Sequence, residues 1–211
     1  MVGGFGLVGC PLTLISALEE RGLRDLVVIS NNLGEPGLGL GSLLLQKRIK
    51  KAIGSFFTSN PDVAQAHERG ELEVELLPQG TFCEAIRAGG AGLGGFYTPT
   101  GVGTQLAEHR EVCEIDGRRY LFQERLWADY ALIRAYKADE LGNLTYYKTA
   151  RNFNPVMATA ASRVIAEVDE IVEVGALSPE EIITPHLYVD TLVLSNTADG
   201  ASRSLAGSHP A

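Results

Sequence analysis

Residues 3–9 read Gly-Gly-Phe-Gly-Leu-Val-Gly and lead into Cys10-Pro11. The stretch Gly4-Phe5-Gly6-Leu7-Val8-Gly9 has the G-x-G-x-x-G spacing that, between a strand and a helix, wraps a dinucleotide pyrophosphate. That chemistry also needs a carboxylate at the end of the next strand to hold the ribose. The next apolar run, Leu26-Val27-Val28-Ile29, ends instead in Ser30-Asn31-Asn32, so dinucleotide binding lacks its partner residue. What remains is a glycine turn feeding a helix. It either offers unpaired N–H groups to a phosphate or is a tight turn that lets the helix pack. The ATP-binding pattern G-x-x-x-x-G-K-S/T does not occur. Glu35, Glu84 and Glu108 are carboxylates to weigh as nucleophiles. Glu84 is better explained as the partner of Thr81 in a capping box, and Glu35-Pro36 as part of a turn. Cys10, Cys83 and Cys113 are widely spaced, and His67, His109, His186 and His209 lack ligand spacing, so neither a metal site nor a disulfide scaffold is expected. Cys83 and His109 read as core or surface residues.

Composition narrows the chemistry further. A chain of 211 residues, 45% hydrophobic and 21% charged, fits one globular domain with a sizeable core. With 18 Lys plus Arg against 26 Asp plus Glu, the net charge of -8 repels phosphate at long range and argues against general nucleic-acid binding. An anionic ligand must then be held by local donors. No apolar run reaches the length of about 18 residues that a membrane helix requires, and the start lacks the basic-then-apolar pattern of a signal peptide. The expected location is the cytoplasm. Most of the 24 glycines gather at 3–9, 34–41, 89–95 and 101–103, where backbone must turn sharply or approach something closely. For residues 89–104 that something is a ligand or another subunit, or else the chain's own tight packing.

The elements that position these loops alternate in the first half. Pro11 opens a helix carrying Leu14, Ile15 and Leu18 and ended by Gly22, and residues 26–29 read as a strand buried on both faces. Residues 40–49 read as helix and 52–57 as strand; Asn60 caps a helix that stops at Gly70. Leu72, Val74 and Leu76 alternate with Glu71, Glu73 and Glu75, giving a strand with one wet face, and Thr81-x-x-Glu84 starts a helix. Further on, Asp116-Gly117 marks a hairpin within 112–124, and 130–136 and 144–147 read as strands around a Gly142-Asn143 turn. Asn154-Pro155 caps another helix, 164–174 holds two apolar stretches, and Ser178-Pro179-Glu180-Glu181 is a second capping box. The fold class is α/β: an open, mostly parallel sheet flanked by helices, with an antiparallel hairpin addition. Residues 1–195 form the domain and 196–211 a polar, disordered tail.

Residues 3–11, with G-G-F followed by three residues, Gly, one residue and Pro, resemble the signature of the A (alpha) subunit of 3-oxoacid CoA-transferases, within the family I CoA-transferases. Four more segments resemble that family in order: Ser30-Asn31-Asn32; residues 73–81 with Pro78-Gln79-Gly80; residues 87–104; and Lys148-Thr149-Ala150-Arg151-Asn152-Phe153-Asn154-Pro155. The resemblance implies a CoA-transferase fold and a partner B (beta) subunit, in a heterodimer or heterotetramer. It also implies an acyl-CoA and a 3-oxoacid as substrates, no tightly bound cofactor, and no nucleic-acid or membrane partner. In that family a glutamate of the B subunit, in a Ser-Glu-Asn-Gly-type motif, attacks the acyl-CoA carbonyl, and CoA then passes to the acceptor carboxylate through a glutamyl-CoA thioester. No such motif occurs here, so the nucleophile is expected on the partner.

By the same resemblance Asn31 and Gln79 are the amides that reach the reacting centre, and Gly3, Gly4, Phe5, Gly6, Leu7, Val8 and Gly9 form the CoA-contacting loop. Neutral amides suit a site whose nucleophile is a carboxylate, because they polarise carbonyls without locking the nucleophile in an ion pair. On residue type alone, Gln79 is a turn residue and Asn31 makes a local backbone bond. Lys148 and Arg151 either meet an anionic substrate or form surface ion pairs. The implied reaction moves CoA from succinyl-CoA to acetoacetate. The alternatives are one half of a 3-oxoadipate or butyrate–acetoacetate CoA-transferase, a non-catalytic binding module that keeps the fold, and a sugar-phosphate isomerase. Relatives carry a helix and a strand ahead of Gly-Gly-Phe where only Met1-Val2 stand here, so a sheet gap or open edge is expected beside the loop.

Overall fold

The computed structural model describes residues 1–108 and 110–196. In chain order its first half contains α1 (Leu12–Glu20), β1 (Leu26–Ile29), α2 (Leu40–Leu45), β2 (Ile49–Gly54), α3 (Pro61–Glu68), β3 (Glu73–Leu76) and α4 (Gln79–Gly90). β4 (Gly95–Thr98), β5 (Val112–Ile115), β6 (Arg118–Glu124), β7 (Ala128–Arg134), β8 (Lys137–Asp139) and β9 (Leu144–Thr145) follow. α5 (Asn154–Ala158), β10 (Ala161–Val168), β11 (Glu170–Val172) and β12 (Thr191–Leu194) complete it.

Two parallel sheets, β1-β2-β3 and β12-β10-β7, make the framework. Residues 1–3 stitch them together. Val2 pairs in parallel with Leu132, the Val2 N–H donates to the Ile29 carbonyl at 2.9 Å, and the Gly3 N–H donates to the Leu132 carbonyl at 2.9 Å. Neither a gap nor an open edge therefore lies between β1 and β7. Successive strand residues point to opposite faces, and the core divides accordingly. Val28, Ala52 and Leu132 pack with Leu14 and Ile15 of α1, Leu43 of α2 and Val63 of α3. Ile29, Ile53 and Ile133 pack on the other face with Phe82 and Ile86 of α4 and Met157 of α5. Helices thus cover both faces, as a sheet built from parallel strands requires. β4, β5 and β6 form an antiparallel sheet whose hairpin turns at Asp116 (φ 51°) and Gly117 (φ 74°), the twist-matched geometry predicted there. β8 pairs with β9 and β11 in a small fourth sheet.

Several local expectations are corrected. β1 is not buried on both faces throughout, since Val27 is 57% exposed. The helix expected over 40–49 ends at Leu45: Lys47 takes a φ of 53° and Ile49 enters the core as the first residue of β2. α4 begins at Gln79, not at Thr81, and Glu84 is bonded to the Arg87 guanidinium at 2.6 and 2.8 Å rather than closing a capping box. Ser178 makes no side-chain cap for the short turn after it. Asn154 lies inside α5 instead of capping it, for reasons given below. Gly89 and Gly90 pack against the chain itself: a Cβ would stand 2.1 Å from the Leu126 carbonyl oxygen and 2.0 Å from Thr159 Oγ1. Residues 197–211 and His109 lie outside the described residues.

Candidate functional site

Three strands of the first half end in the same way. Ile29, Ile53 and Leu77 fill the core, and two residues beyond each stands a polar side chain: Asn31, Ser55 and Gln79. These recur 24 residues apart and meet in space. Asn31 Nδ2 donates to Ser55 Oγ at 2.9 Å and to Gln79 Oε1 at 2.9 Å, and the Ser55 hydroxyl donates to Gln79 Oε1. The Asn31 carbonyl is clasped by the N–H groups of Ser55 (3.1 Å) and Phe56 (3.0 Å), which locks β1 to β2 beyond their last ladder pair. Gly54 permits that approach, because a Cβ there would lie 2.2 Å from the Ser30 carbonyl oxygen. The two amides singled out from the sequence are brought together, but with different access. Asn31 is 1% exposed, whereas Gln79, at the first turn of α4, is exposed.

The glycine loop is held from the opposite end of the sequence. Its turn closes by the Phe5 N–H to Val8 carbonyl bond (3.0 Å) and its reciprocal (3.2 Å), with Gly4, Gly6 and Gly9 at φ 114°, 63° and 67°. Asn152 Nδ2 donates to the Val8 carbonyl at 3.0 Å and Asn154 Nδ2 to the Gly9 carbonyl at 3.0 Å. Asn154 Nδ2 also reaches the Ala150 carbonyl at 2.9 Å, and its Oδ1 accepts the Arg134 N–H at 2.9 Å. Completely buried, Asn154 is a clamp rather than a helix cap. A Cβ at Gly3 would fall 1.8 Å from Asn154 Oδ1, so the clamp needs glycine opposite it. The N–H groups of Gly6 and Leu7 donate to nothing among the described residues and remain for an acceptor.

An open cleft of about 1200 Å³ adjoins the amide cluster, with Ser55, Leu76, Pro78, Glu108, Val112 and Arg119 in its lining. Of the three carboxylates weighed as nucleophiles, Glu108 alone lines that cleft; Glu84 is paired with Arg87, and Glu35 sits in a turn closed with Leu38. Lys148 lies exposed over the Tyr147 ring at 5.1 Å and Arg151 is exposed; neither is brought to the amide cluster by a bond. Burial pushes the Cys10 thiol up to about 12, with the Glu167 charge adding and Arg134 opposing, and burial followed by Glu84 raises Cys83. Both stay as thiols at neutral pH. Among the described residues no group of His, Cys, Asp and Glu could hold a metal ion, and no helix is long and apolar enough to cross a membrane.

Two features escape the sequence reading. Ser55 is one, although its spacing from Asn31 and Gln79 is a usable signal. The other is a buried ionic cluster at the ends of β7, β10 and β12. Glu167, with 0% exposure, is paired with Arg134, which also holds Asp169. Its carboxylate accepts the N–H groups of Thr13 (2.9 Å) and Leu14 (3.3 Å), the Thr13 hydroxyl (3.1 Å) and the Ser195 hydroxyl (2.8 Å). It therefore caps α1, whose own leading residue, Pro11, makes no side-chain cap. Contacts separated by more than 150 residues leave no local signal.

Comparison with known proteins agrees with this architecture. The coenzyme A transferase family model matches residues 1–195. The A (alpha) chain of the succinyl-CoA:3-ketoacid coenzyme A transferase of Xanthomonas campestris pv. campestris (strain B100) is 50% identical over 198 residues, 94% of this chain and 82% of that relative. The corresponding half of the 3-oxoadipate CoA-transferase of Pseudomonas putida is 48% identical over 204 residues, 96% of this chain and 88% of the relative. In three dimensions, an acyl-CoA transferase of Escherichia coli O157:H7, solved as a thioester complex with CoA, superposes with a TM-score of 0.83 over 95% of this chain at 23% identity. This chain spans 44% of that one, less than half its length.

Proposed function

The chain belongs to the coenzyme A transferase family, and from that premise we propose that it is the A (alpha) subunit of a heteromeric 3-oxoacid CoA-transferase, moving CoA from succinyl-CoA to acetoacetate. The observation that carries this reading is the exposed amide of Gln79, held by Asn31 and by Ser55, the member of the cluster that itself lines the open cleft. A thioester carbonyl gains negative charge when a carboxylate attacks it. A neutral amide donor aimed at that oxygen lowers the barrier without neutralising the attacking group. Gln79 is the residue that touches substrate; Asn31, buried, positions it. The Gly6 and Leu7 N–H groups supply further donors for an oxygen of the CoA substrate, held in place by Asn152 and Asn154. No tightly bound cofactor is needed, since CoA itself is the group transferred.

The nucleophilic glutamate resides on the B subunit in this reading. The three cysteines, all thiols, suit a reducing cytoplasm. The test is CoA transfer from succinyl-CoA to acetoacetate, followed as acetoacetyl-CoA, by this chain alone and mixed with a candidate B subunit. Activity in the mixture only is expected. Activity of the chain alone would place the nucleophile here, with Glu108 at the cleft the first residue to replace. The Pseudomonas putida relative makes 3-oxoadipate the second acceptor to assay. Transfer to it in preference to acetoacetate would overturn the choice of acceptor while leaving the site intact.

A further inference from the structure

An amide side chain has a donor end and an acceptor end, and its neighbours decide which end faces which way. One neighbour here has no choice. The Gly34 N–H can only donate, and it meets Asn32 Oδ1 at 3.0 Å. The backbone at Gly34 is itself fixed, with φ 61° and a would-be Cβ only 2.3 Å from the Leu38 carbonyl oxygen, while Asn60 Nδ2 holds the adjacent Leu33 carbonyl at 2.9 Å. With its oxygen so engaged, Asn32 turns its Nδ2 to Asn31 Oδ1 at 3.4 Å. Asn31 must then present Nδ2 on its far side, to Gln79 Oε1 and Ser55 Oγ, both at 2.9 Å. Ser55, having accepted from Asn31, gives its own proton to Gln79 Oε1. Gln79 Oε1 thus receives two donors, which fills its two lone pairs. The Gln79 Nε2 donates to nothing among the described residues.

We propose that Gly34, Asn32, Asn31 and Ser55 form a one-way relay of hydrogen bonds that locks Gln79 with its amide donors toward the ligand, so that the site takes an acceptor oxygen there and rejects a donor. Asn32 and Ser55 are positioning residues that act through Gln79. Asn32 is buried at 5% exposure and cannot serve by touching substrate. The consequence for catalysis rests on the CoA-transferase reading; the direction of the relay does not.

Neutron diffraction from the perdeuterated native protein reads that direction itself. Deuterium density is expected on the Gln79 amide atom that faces away from Asn31, and density on the atom facing Asn31 would overturn the relay. Kinetics supply the second arm. Asn32→Asp keeps an acceptor for Gly34 but removes the donor to Asn31, which reverses the chain of donors and turns the Gln79 carbonyl toward the ligand. A fall in kcat of about 10²–10³-fold is expected, the size seen when an oxyanion donor is lost. Asn32→Ala breaks the relay without reversing it and should be milder. Because a buried carboxylate also costs stability, melting is read on each variant: a merely structural Asn32 would lower kcat only in step with stability, whereas reversal of the relay lowers it in a complex that stays folded. Ser55→Ala removes one of two donors and should cost about 3- to 10-fold, regained by Ser55→Thr. Asn32→Asp at or above the Asn32→Ala rate overturns the proposal. If the native complex transfers no CoA, the functional reading fails, while the deuterium positions still decide the relay.

Discussion

The two halves of the sheet each carry a polar cluster at the carboxyl ends of their strands, made of opposite materials. Beyond β1, β2 and β3 stand an asparagine, a serine and a glutamine, all neutral, with the outermost amide exposed beside a cleft. At the ends of β7, β10 and β12 stand an arginine, a glutamate, an aspartate and a serine, with the glutamate fully buried. The charged cluster looks the more catalytic by residue type. It is the less available, because a carboxylate removed from water needs its charge and its lone pairs answered inside the protein. Glu167 has both oxygens answered: Arg134, Ser195 and Thr13 on one side, the first N–H groups of α1 on the other. The neutral cluster leaves one donor end open at little desolvation cost. Charge here builds the scaffold at the start of α1, and the proposed function gives the chemistry to the amides.

This contrast can be broken in several places. Glu167→Ala leaves Arg134 buried and α1 uncapped, so unfolding in urea should show a loss of about 3–5 kcal/mol. A variant that kept full stability but lost CoA transfer would transfer the catalytic role to the charged half. Asn154→Ala strands the Gly9 and Ala150 carbonyls and the Arg134 N–H together. A loss of about 1–3 kcal/mol is expected, with a raised KM for the CoA substrate because the loop is no longer clamped. The smallest effect concerns Asp139. Burial acts to raise its carboxyl, but bonds from the Asn143 side chain and the Asn143, Gly142 and Leu141 N–H groups outweigh it and hold the value below the ordinary 3.8. A carboxyl depressed in the folded state stabilises that state above its unfolded value and loses the contribution as pH falls through the folded one. The stability gap between native protein and Asp139→Asn should therefore hold steady at neutral pH and narrow only as pH falls below the ordinary carboxyl value of 3.8 toward the depressed one, in a series of thermal melts.

Most of the architecture is legible in the sequence because it rests on local pattern. The alternation of Val28 with Ile29 and Leu132 with Ile133 divides the core between two helix layers, and Asp116-Gly117 sets the hairpin. Helix ends are less legible: the apolar pattern carries α2 on to Ile49, which the core instead draws into β2. The capping box at Thr81 fails for a physical reason, since Glu84 finds a guanidinium on its own helix face three residues away. Asn31 and Gln79 are found through family resemblance; their union is written in the 24-residue spacing that also includes Ser55. The pairing of Asn154 with Gly9 and of Glu167 with Thr13 cannot be read from the sequence, because bonds spanning 145 and 154 residues depend on the finished sheet.

The quantity that separates the two clusters most directly is kcat/KM for CoA transfer by the complex of this chain carrying Gln79→Ala with its B subunit, with the melting temperature taken on the same preparation. A fall of about 10²–10³-fold is expected, with only a modest loss of stability, about 0.5–1.5 kcal/mol, from the bonds that Asn31 and Ser55 give to Gln79 Oε1. Transfer within about threefold of the native rate, a barrier change below about 1 kcal/mol, would contradict the assignment of the chemistry to the neutral amides.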